Sequence, residues 1–318
     1  MNNHLKGILM VLSSTAMWGL VGILVQYLIS REHFTPEWLV NTRLLASGLI
    51  LLIITYFFYE RNIFQVLKTD FMSLLILGVI GLLGSQYGFY ICINHSNAPT
   101  ATILVFLLPV FIMLYTLLVK HKRPSGLELI SILFAITGTS LIVTKGDFSS
   151  IILSPIALMA GITSALCCVF YTLQPRKVLS KYSSTNVMGW SMLFGGIFIS
   201  CFNNPLDIPG EINLYTLSAI LSMILFGTVL AFCFYLKSLD YLSPTEASIL
   251  TVGEPLCSII LSLIFLNVTF SSIELMGAVL ILSTVFILAK AKKEANFSLF
   301  FTLWTKFNGQ NYILKCQI

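Results

Sequence analysis

Charged residues are scarce in this 318-residue chain. Asp, Glu, Lys and Arg together make up only 10% of it, whereas soluble domains carry about 25%. Hydrophobic residues reach 57%, and the mean hydropathy is +0.92. A soluble core could not bury so much apolar surface, so the lipid bilayer is predicted to surround most of the chain. The net charge of +5 gives no indication of a nucleic-acid partner, and none is predicted.

Motifs of several function classes are also missing. There is no GxxxxGK[ST] loop, so ATP is not expected to drive this chain. There is no CxxC pair and no histidine at ligand spacing, so no metal site, cofactor or catalytic residue is predicted. The first apolar run is too long for the core of a cleavable signal peptide and is interpreted as the first helix. A secondary transporter is the leading interpretation. A channel or a lipid-moving protein is the alternative, and an integral-membrane enzyme is a weaker one.

The apolar residues form ten stretches, each long enough to cross a bilayer, which takes about 20 residues in a helix. Backbone groups have no water partner in hydrocarbon, so continuous stretches of this length predict helices. The fold class predicted is therefore all-α integral membrane with ten transmembrane helices. The stretches are 7–29, 36–59, 70–92, 98–119, 125–144, 154–174, 184–202, 214–236, 244–266 and 271–289.

Basic residues are distributed unequally between the loops of this map. With a cytoplasmic N-terminus, the outer loops carry only Arg31 and Lys145, and the inner loops carry the remaining loop cations. Such a positive-inside bias predicts a cell (plasma or inner) membrane protein with both termini cytoplasmic. The inner residues are Lys6, Arg61, Lys68, Lys120, Lys122, Arg123, Arg176, Lys177, Lys181, Lys237, Lys290, Lys292 and Lys293.

The second half of the chain repeats the first at an offset of 146 residues. Pro109 then meets Pro255 and Glu128 meets Glu274, and both residue types are rare in apolar helices. Because the unit has five helices, an odd number, the second copy is predicted to be inverted in the membrane, as in many secondary transporters. The predicted domains are residues 1–146, residues 147–294 and a cytoplasmic tail, 295–318. An interfacial segment and a disordered end are both open for the tail.

The chain resembles the drug/metabolite transporter superfamily, in particular its EamA-type members, over about residues 5–294. The resemblance rests on Ala16-Met17-Trp18-Gly19, Arg43, Pro109, Glu254-Pro255, and the paired junctions Ala98-Pro99-Thr100-Ala101 and Ser243-Pro244-Thr245-Glu246-Ala247. The family's Gly-Glu before the loop after the fourth helix is replaced by Lys120-His121-Lys122. The resemblance implies an inner-membrane carrier of small metabolites such as amino acids, their derivatives or drugs, and leaves the substrate open.

Two ionisable residues lie inside predicted helices, where a charge is costly unless it is paired or hydrated. Arg43 is about two turns from the outer end of the second stretch. It is interpreted either as a contact for a substrate carboxylate or as a structural cation. Glu254 lies near mid-membrane, just before Pro255. It is interpreted either as a carboxylate that binds a coupling proton or as a partner for backbone groups freed by the proline.

Three further residues complete the predicted substrate site. Trp18 lies far from the interfaces where tryptophan is usual, so it is either a cavity wall or a packing residue beside Gly19. Gln86 and Tyr90 are four residues apart and share a helix face, so they either line a polar cavity or bond to neighbouring helices. Together with Arg43 and Glu254 they are predicted to border one chamber open to the outside. Whether the protein is a monomer or a homodimer stays open.

Overall fold

A computed structural model describes residues 3–120, 124–145, 147 and 152–291. Within these ranges the regular structure is helical, and each predicted apolar stretch coincides with one helix or with consecutive helical segments. The predicted cytoplasmic tail, 295–318, lies outside the described residues. In the first half the helices are α1 Asn3–Ser30, α2 Pro36–Phe58, α3 Gln65–His95, α4 as two pieces, Ala98–Val105 and Leu108–Lys120, and α5 Gly126–Thr144.

The second half has the same order of helices. They are α6 Pro155–Leu173, followed by the single turn Arg176–Leu179, then α7 Ser184–Ser200, α8 as Leu214–Ile224, Leu225–Leu230 and Ala231–Ser238, α9 as Pro244–Leu250 and Gly253–Phe265, and α10 Ser272–Ala291. Eight of these are long and apolar enough to cross a membrane by length and composition. The exceptions are α7, with 17 residues, and α9, which is broken.

Glycines set the distance between the helices. A Cβ atom at Gly48 of α2 would lie 2.9 Å from the carbonyl oxygen of Gly189 on α7. A Cβ atom at Gly88 of α3 would lie 2.8 Å from the carbonyl oxygen of Ala160 on α6. Lipid tails provide no hydrophobic drive for helices to associate, so close backbone approach through small residues holds such bundles together.

Gly78 makes the tightest of these contacts, because a Cβ atom there would overlap the Ser191 carbonyl of α7. We expect Gly78→Ala to push α3 and α7 apart and to destabilise the protein by about 1–3 kcal/mol, the usual cost of overpacking. Thermal unfolding followed by fluorescence-detected size exclusion measures this. Gly126→Ala is the matched control, since nothing lies within 4 Å of its added Cβ. Equal melting of the two variants would contradict the packing account.

Two kinds of helix irregularity occur once in each half. A π-helical segment interrupts α3 at Leu77–Leu83 and α8 at Leu225–Leu230. The helical hydrogen bonding of α4 breaks between Val105 and Leu108, and that of α9 between Leu250 and Gly253. Each break precedes a proline, Pro109 or Pro255, which cannot donate the next helical bond. The paired irregularities lie close to the 146-residue offset of the sequence repeat.

The glutamates at the starts of α5 and α10 cap their helices. The Glu128 carboxylate accepts from the Ser125 backbone N–H at 2.6 Å, and the Glu274 carboxylate accepts from the Ser271 backbone N–H at 2.9 Å. Each serine hydroxyl accepts in return from the glutamate N–H, at 3.3 Å and 3.1 Å. These reciprocal bonds satisfy the free N–H groups at both helix starts.

Candidate functional site

Arg43 of α2 reaches across to the π-helical segment of α8. Its Nη2 donates to the Gly227 carbonyl at 3.1 Å, and its Nε donates to the Thr228 hydroxyl at 3.3 Å. Its Nη1 donates to the Tyr90 hydroxyl on α3 at 3.0 Å. The side chain therefore points into the bundle, between three helices, instead of extending along the lipid surface.

All three acceptors of Arg43 are neutral. In the described part of the chain no carboxylate lies within the 4.0 Å that defines an ion pair with the guanidinium. A partly buried charge without a counter-charge is costly inside a membrane protein. A guanidinium has five N–H donors, and three are used here, which leaves one on each terminal nitrogen. Such a pair matches the two oxygens of a carboxylate.

Tyr90 holds Arg43 in place from the side of α3. The tyrosine is fully buried, with 0% of its surface exposed. Its hydroxyl accepts from Arg43 and donates to the Met223 sulfur of α8 at 3.3 Å. The sequence placed Tyr90 on a cavity wall. In this conformation it supports the guanidinium and has no open surface of its own.

Glu254 lies in the first turn after the break in α9. Pro255 has no N–H and cannot donate to the Thr251 carbonyl. The backbone N–H of Glu254 donates to that carbonyl at 2.9 Å, so the side chain of Glu254 is not needed as its partner. The partly buried carboxylate accepts no hydrogen bond in the described part of the chain. It lies within Coulombic range of Arg43 and of Tyr171 on α6. This carboxylate is therefore available to a proton or to a cationic group.

Trp18 of α1 packs against α8. Its ring centroid lies 6.1 Å from that of Phe232 and 5.6 Å from that of Tyr235. The adjacent Gly19 allows α9 to approach, since a Cβ atom there would lie 2.9 Å from the Glu254 carbonyl oxygen. The packing interpretation accounts for both contacts. Trp18 also directly precedes Gly19, the residue that contacts the Glu254 backbone.

Gln86 is one turn from Tyr90 on the same face of α3. Its Oε1 is buried and has no hydrogen-bond partner in the described part of the chain. On α9, the Ser258 hydroxyl is also buried without a partner. A buried acceptor without a donor costs about 1–3 kcal/mol, so these atoms mark places where a solute or a water could bind.

A cleft of about 310 Å³ opens between α2, α7 and α8. Its walls include Phe232, which touches Trp18, and its mouth carries Tyr59, Lys237 and Asp240. A second groove lies on the outer surface between α4 and α6. None of the five predicted site residues lines either of these two spaces. The cleft opens at the end of the bundle where α8 finishes, called here the Lys237 end. The chamber bordered by the five residues and open to the outside stays a prediction.

The structure thus brings Arg43 and Tyr90 into contact and places Glu254 within Coulombic range of Arg43. Trp18 packs against Phe232 and Tyr235, in the last segment of α8. The sequence missed Gly227 and Thr228. A Gly-Thr pair in an apolar run is too common to be a signal, and the π-helical turn that presents the Gly227 carbonyl has no sequence marker of its own.

Comparison with known proteins agrees with this architecture. The sequence profile of the EamA-like transporter family matches residues 5–144 and again 155–290. The uncharacterized inner membrane transporter YicL of Salmonella typhimurium is 37% identical over 291 residues, which are 91% of this chain and 97% of the relative. The uncharacterized transporter YyaM of Bacillus subtilis is 20% identical, over 88% of this chain and 92% of the relative.

A solved crystal structure superimposes on 88% of this chain and 95% of its own with a TM-score of 0.59 at 13% identity, a likeness that concerns the fold alone. The profile covers nearly the whole chain in two matches, and the relatives are named as transporters. These findings favour transport over catalysis and identify a multi-pass membrane protein. The chain belongs to the EamA-like transporter family.

Proposed function

We propose that this protein is a secondary carrier that moves a small metabolite with a carboxylate group by alternating access. An amino acid, an amino-acid derivative or a drug-like anion fits this description. The observation that carries the proposal is Arg43, a partly buried cation with only neutral partners and two N–H donors unused. A solute carboxylate would supply a counter-charge in direct contact with the guanidinium.

The other predicted residues take distinct roles in this proposal. Tyr90 and Thr228 position Arg43 and do not themselves bind the solute. Gln86, with its unpartnered Oε1, is proposed to accept a hydrogen bond from the solute's amine or hydroxyl. Trp18 closes the site toward the cleft, through Phe232. Glu254 is proposed to bind a coupling proton in part of the cycle, because its carboxylate is uncommitted and lies in range of Arg43.

The proposed architecture is ten spans in two inverted five-helix repeats, residues 1–146 and 147–294. Three observations support it: the family profile matches twice, the π-helical segments recur in α3 and α8, and the helix breaks recur in α4 and α9. An inverted pair of halves can open to either side around one central site.

Hydrogen bonds close the end of the bundle where α2 begins. The Tyr87 hydroxyl donates to the Glu37 carboxylate at 2.6 Å, and the Ala98 N–H donates to the Gln26 side chain at 2.7 Å. Trp38 Nε1 donates to the Pro205 carbonyl at 2.9 Å. Bonds also cross the Lys237 end, where the Asn186 side chain donates to the Glu60 carboxylate at 2.8 Å. Because a cleft lies there, we propose that the carrier opens toward this side, which the loop charges predict to be cytoplasmic.

Profiling metabolites in cells that lack or overproduce the protein would nominate the solute. Purified protein in liposomes would then be tested for saturable uptake of each candidate. The proposal predicts that anionic or zwitterionic solutes are taken up and that their neutral amides are not. Uptake of cations alone would overturn the role of Arg43.

The orientation is tested at the two ends of α7. In a cysteine-free variant we expect a cysteine at Asn204 to react with an impermeant maleimide in intact cells, and a cysteine at Ser180 to react only after lysis. Both positions are exposed, so a difference in labelling reports the side of the membrane and not the burial of the side chain. Labelling of Ser180→Cys in intact cells would contradict the proposed cytoplasmic termini.

A further inference from the structure

The groove between α4 and α6 lies outside the proposed transport site. It has a volume of about 580 Å³. The two helices touch near its closed end, where Leu104 lies against Gly161, and they leave a gap beyond the break in α4. The walls of the gap include Phe111, Leu114 and Leu118 on α4 and Leu166, Phe170 and Leu173 on α6.

The groove has the size and surface of an acyl-chain site. Small-ligand sites have volumes of about 300–1,000 Å³, and the wall from Phe111 to Leu118 runs for about 10 Å at 1.5 Å per residue. Leu118 is 73% exposed and Leu166 is 50% exposed. In a chain that spans a bilayer, these side chains face lipid tails.

One end of the groove is polar. Gln174, the last wall residue of α6, donates from Nε2 to the Ser73 hydroxyl at 2.7 Å and to the Ser73 carbonyl at 3.2 Å. Its Oε1 is buried and has no partner in the described ranges. A buried amide oxygen lacks a donor here, and the hydroxyl groups of a glycerol head group would provide one.

Positive charge lies directly beyond this polar end. Arg176 and Lys177, both exposed, follow Gln174 within three residues. Basic residues between transmembrane helices at a membrane surface attract the phosphates of anionic lipids. The groove and the cations thus follow one another in the order of a phospholipid's acyl chain and phosphate, and the orphaned amide oxygen lies at the same end of the groove as the cations.

We infer that this groove is a binding site for one anionic phospholipid of the phosphatidylglycerol type. An acyl chain lies between α4 and α6, Arg176 and Lys177 bind the phosphate, and a hydroxyl of the head-group glycerol, which follows the phosphate, folds back to donate to Gln174 Oε1. The bound lipid fills the gap left by the broken α4 and stabilises its second piece against α6. This site is independent of the transported solute.

Photo-crosslinking in nanodiscs tests the inference. The protein is placed in phosphatidylcholine discs with a trace of either phosphatidylglycerol or phosphatidylcholine that carries a diazirine in its acyl chain. After irradiation, peptides are mapped by mass spectrometry. We expect the phosphatidylglycerol probe to label α4 and α6 preferentially. Equal labelling by both probes would show ordinary lipid contact and would overturn the inference, as would labelling of α4 and α6 by neither probe.

Two variants separate the charge from the groove. Each basic residue near an anionic surface contributes roughly fivefold in affinity, so Arg176→Gln with Lys177→Gln should reduce specific labelling by up to about 30-fold. Leu166→Trp fills the groove and should abolish it. The control for the charges is Arg61→Gln with Lys68→Gln, since both residues are exposed and are predicted to lie on the same side of the membrane as Arg176 and Lys177. The control for the groove is Leu133→Trp, on the exposed face of α5. Equal loss in the controls, or none in the test variants, would contradict the site.

Discussion

Replacement of Arg43 by glutamine is expected to reduce solute exchange by at least about 100-fold while the protein remains folded. The reason is that two charge-assisted hydrogen bonds to the solute are lost, and each bond to a charged group contributes about 1.5–3 kcal/mol. Glutamine keeps part of the side chain's volume and can still donate to one of the neutral acceptors, Tyr90 or Thr228. The measurement is the initial rate of exchange in proteoliposomes, normalised to the amount of folded protein.

Arg43→Lys and Arg31→Gln make this result specific. Lysine retains the charge but cannot present two parallel N–H groups, so Arg43→Lys should keep part of the binding and raise the KM more than it lowers the maximal rate. Arg31 is exposed in the loop after α1, and Arg31→Gln should transport normally. If Arg43→Gln merely lowered the yield of folded protein and exchanged solute at the normal rate per molecule, Arg43 would be structural.

Replacement of Glu254 by glutamine is expected to remove transport driven by a pH gradient while leaving exchange of solute for solute intact. Exchange does not require the carrier to release a proton, whereas net uphill movement does. The amide is nearly the same size as the carboxyl group, and in the described chain the wild-type carboxylate makes no hydrogen bond that the substitution would break. The measurement compares uphill uptake under an imposed pH gradient with exchange at symmetrical pH.

Glu211→Gln is the control for this second prediction, because Glu211 is exposed in the loop before α8. It should retain both activities. If the Glu254→Gln variant accumulated solute to the same ratio as the unchanged protein under the same pH gradient, another residue would have to bind the coupling proton. Loss of exchange together with uphill uptake would instead place Glu254 in solute binding or in folding.

The helices were accessible to sequence reasoning because each apolar stretch has the length that a bilayer demands, and lipid leaves the backbone few alternatives to a helix. The caps can also be predicted from the sequence, since Ser125 with Glu128 and Ser271 with Glu274 have the spacing of a capping box. The break in α9 was visible in part, through Pro255.

The arrangement of the site was not accessible in the same way. Which helix Arg43 reaches depends on how closely α8 approaches α1 and α2. That approach is set by Gly227, where an added Cβ atom would lie 2.5 Å from Val21 and 3.4 Å from Arg43 Nη2, and Gly227 looks like an ordinary small residue in the sequence. The π-helical turn at Gly227 adds a residue to one helical turn, and no proline or charged residue in the sequence indicates where it occurs. Tyr90 could be placed on a helix face, but its burial depends on Met223, 133 residues away.

Counterflow tests the central claim most directly. Proteoliposomes are loaded with a high concentration of unlabelled solute, diluted into a trace of labelled solute and followed over time. A carrier that alternates around the Arg43 site predicts a transient accumulation of label above its outside concentration, saturation with increasing solute and loss of the overshoot in Arg43→Gln. Label that merely equilibrates, at a rate proportional to concentration and without an overshoot, would show a channel and would contradict the account.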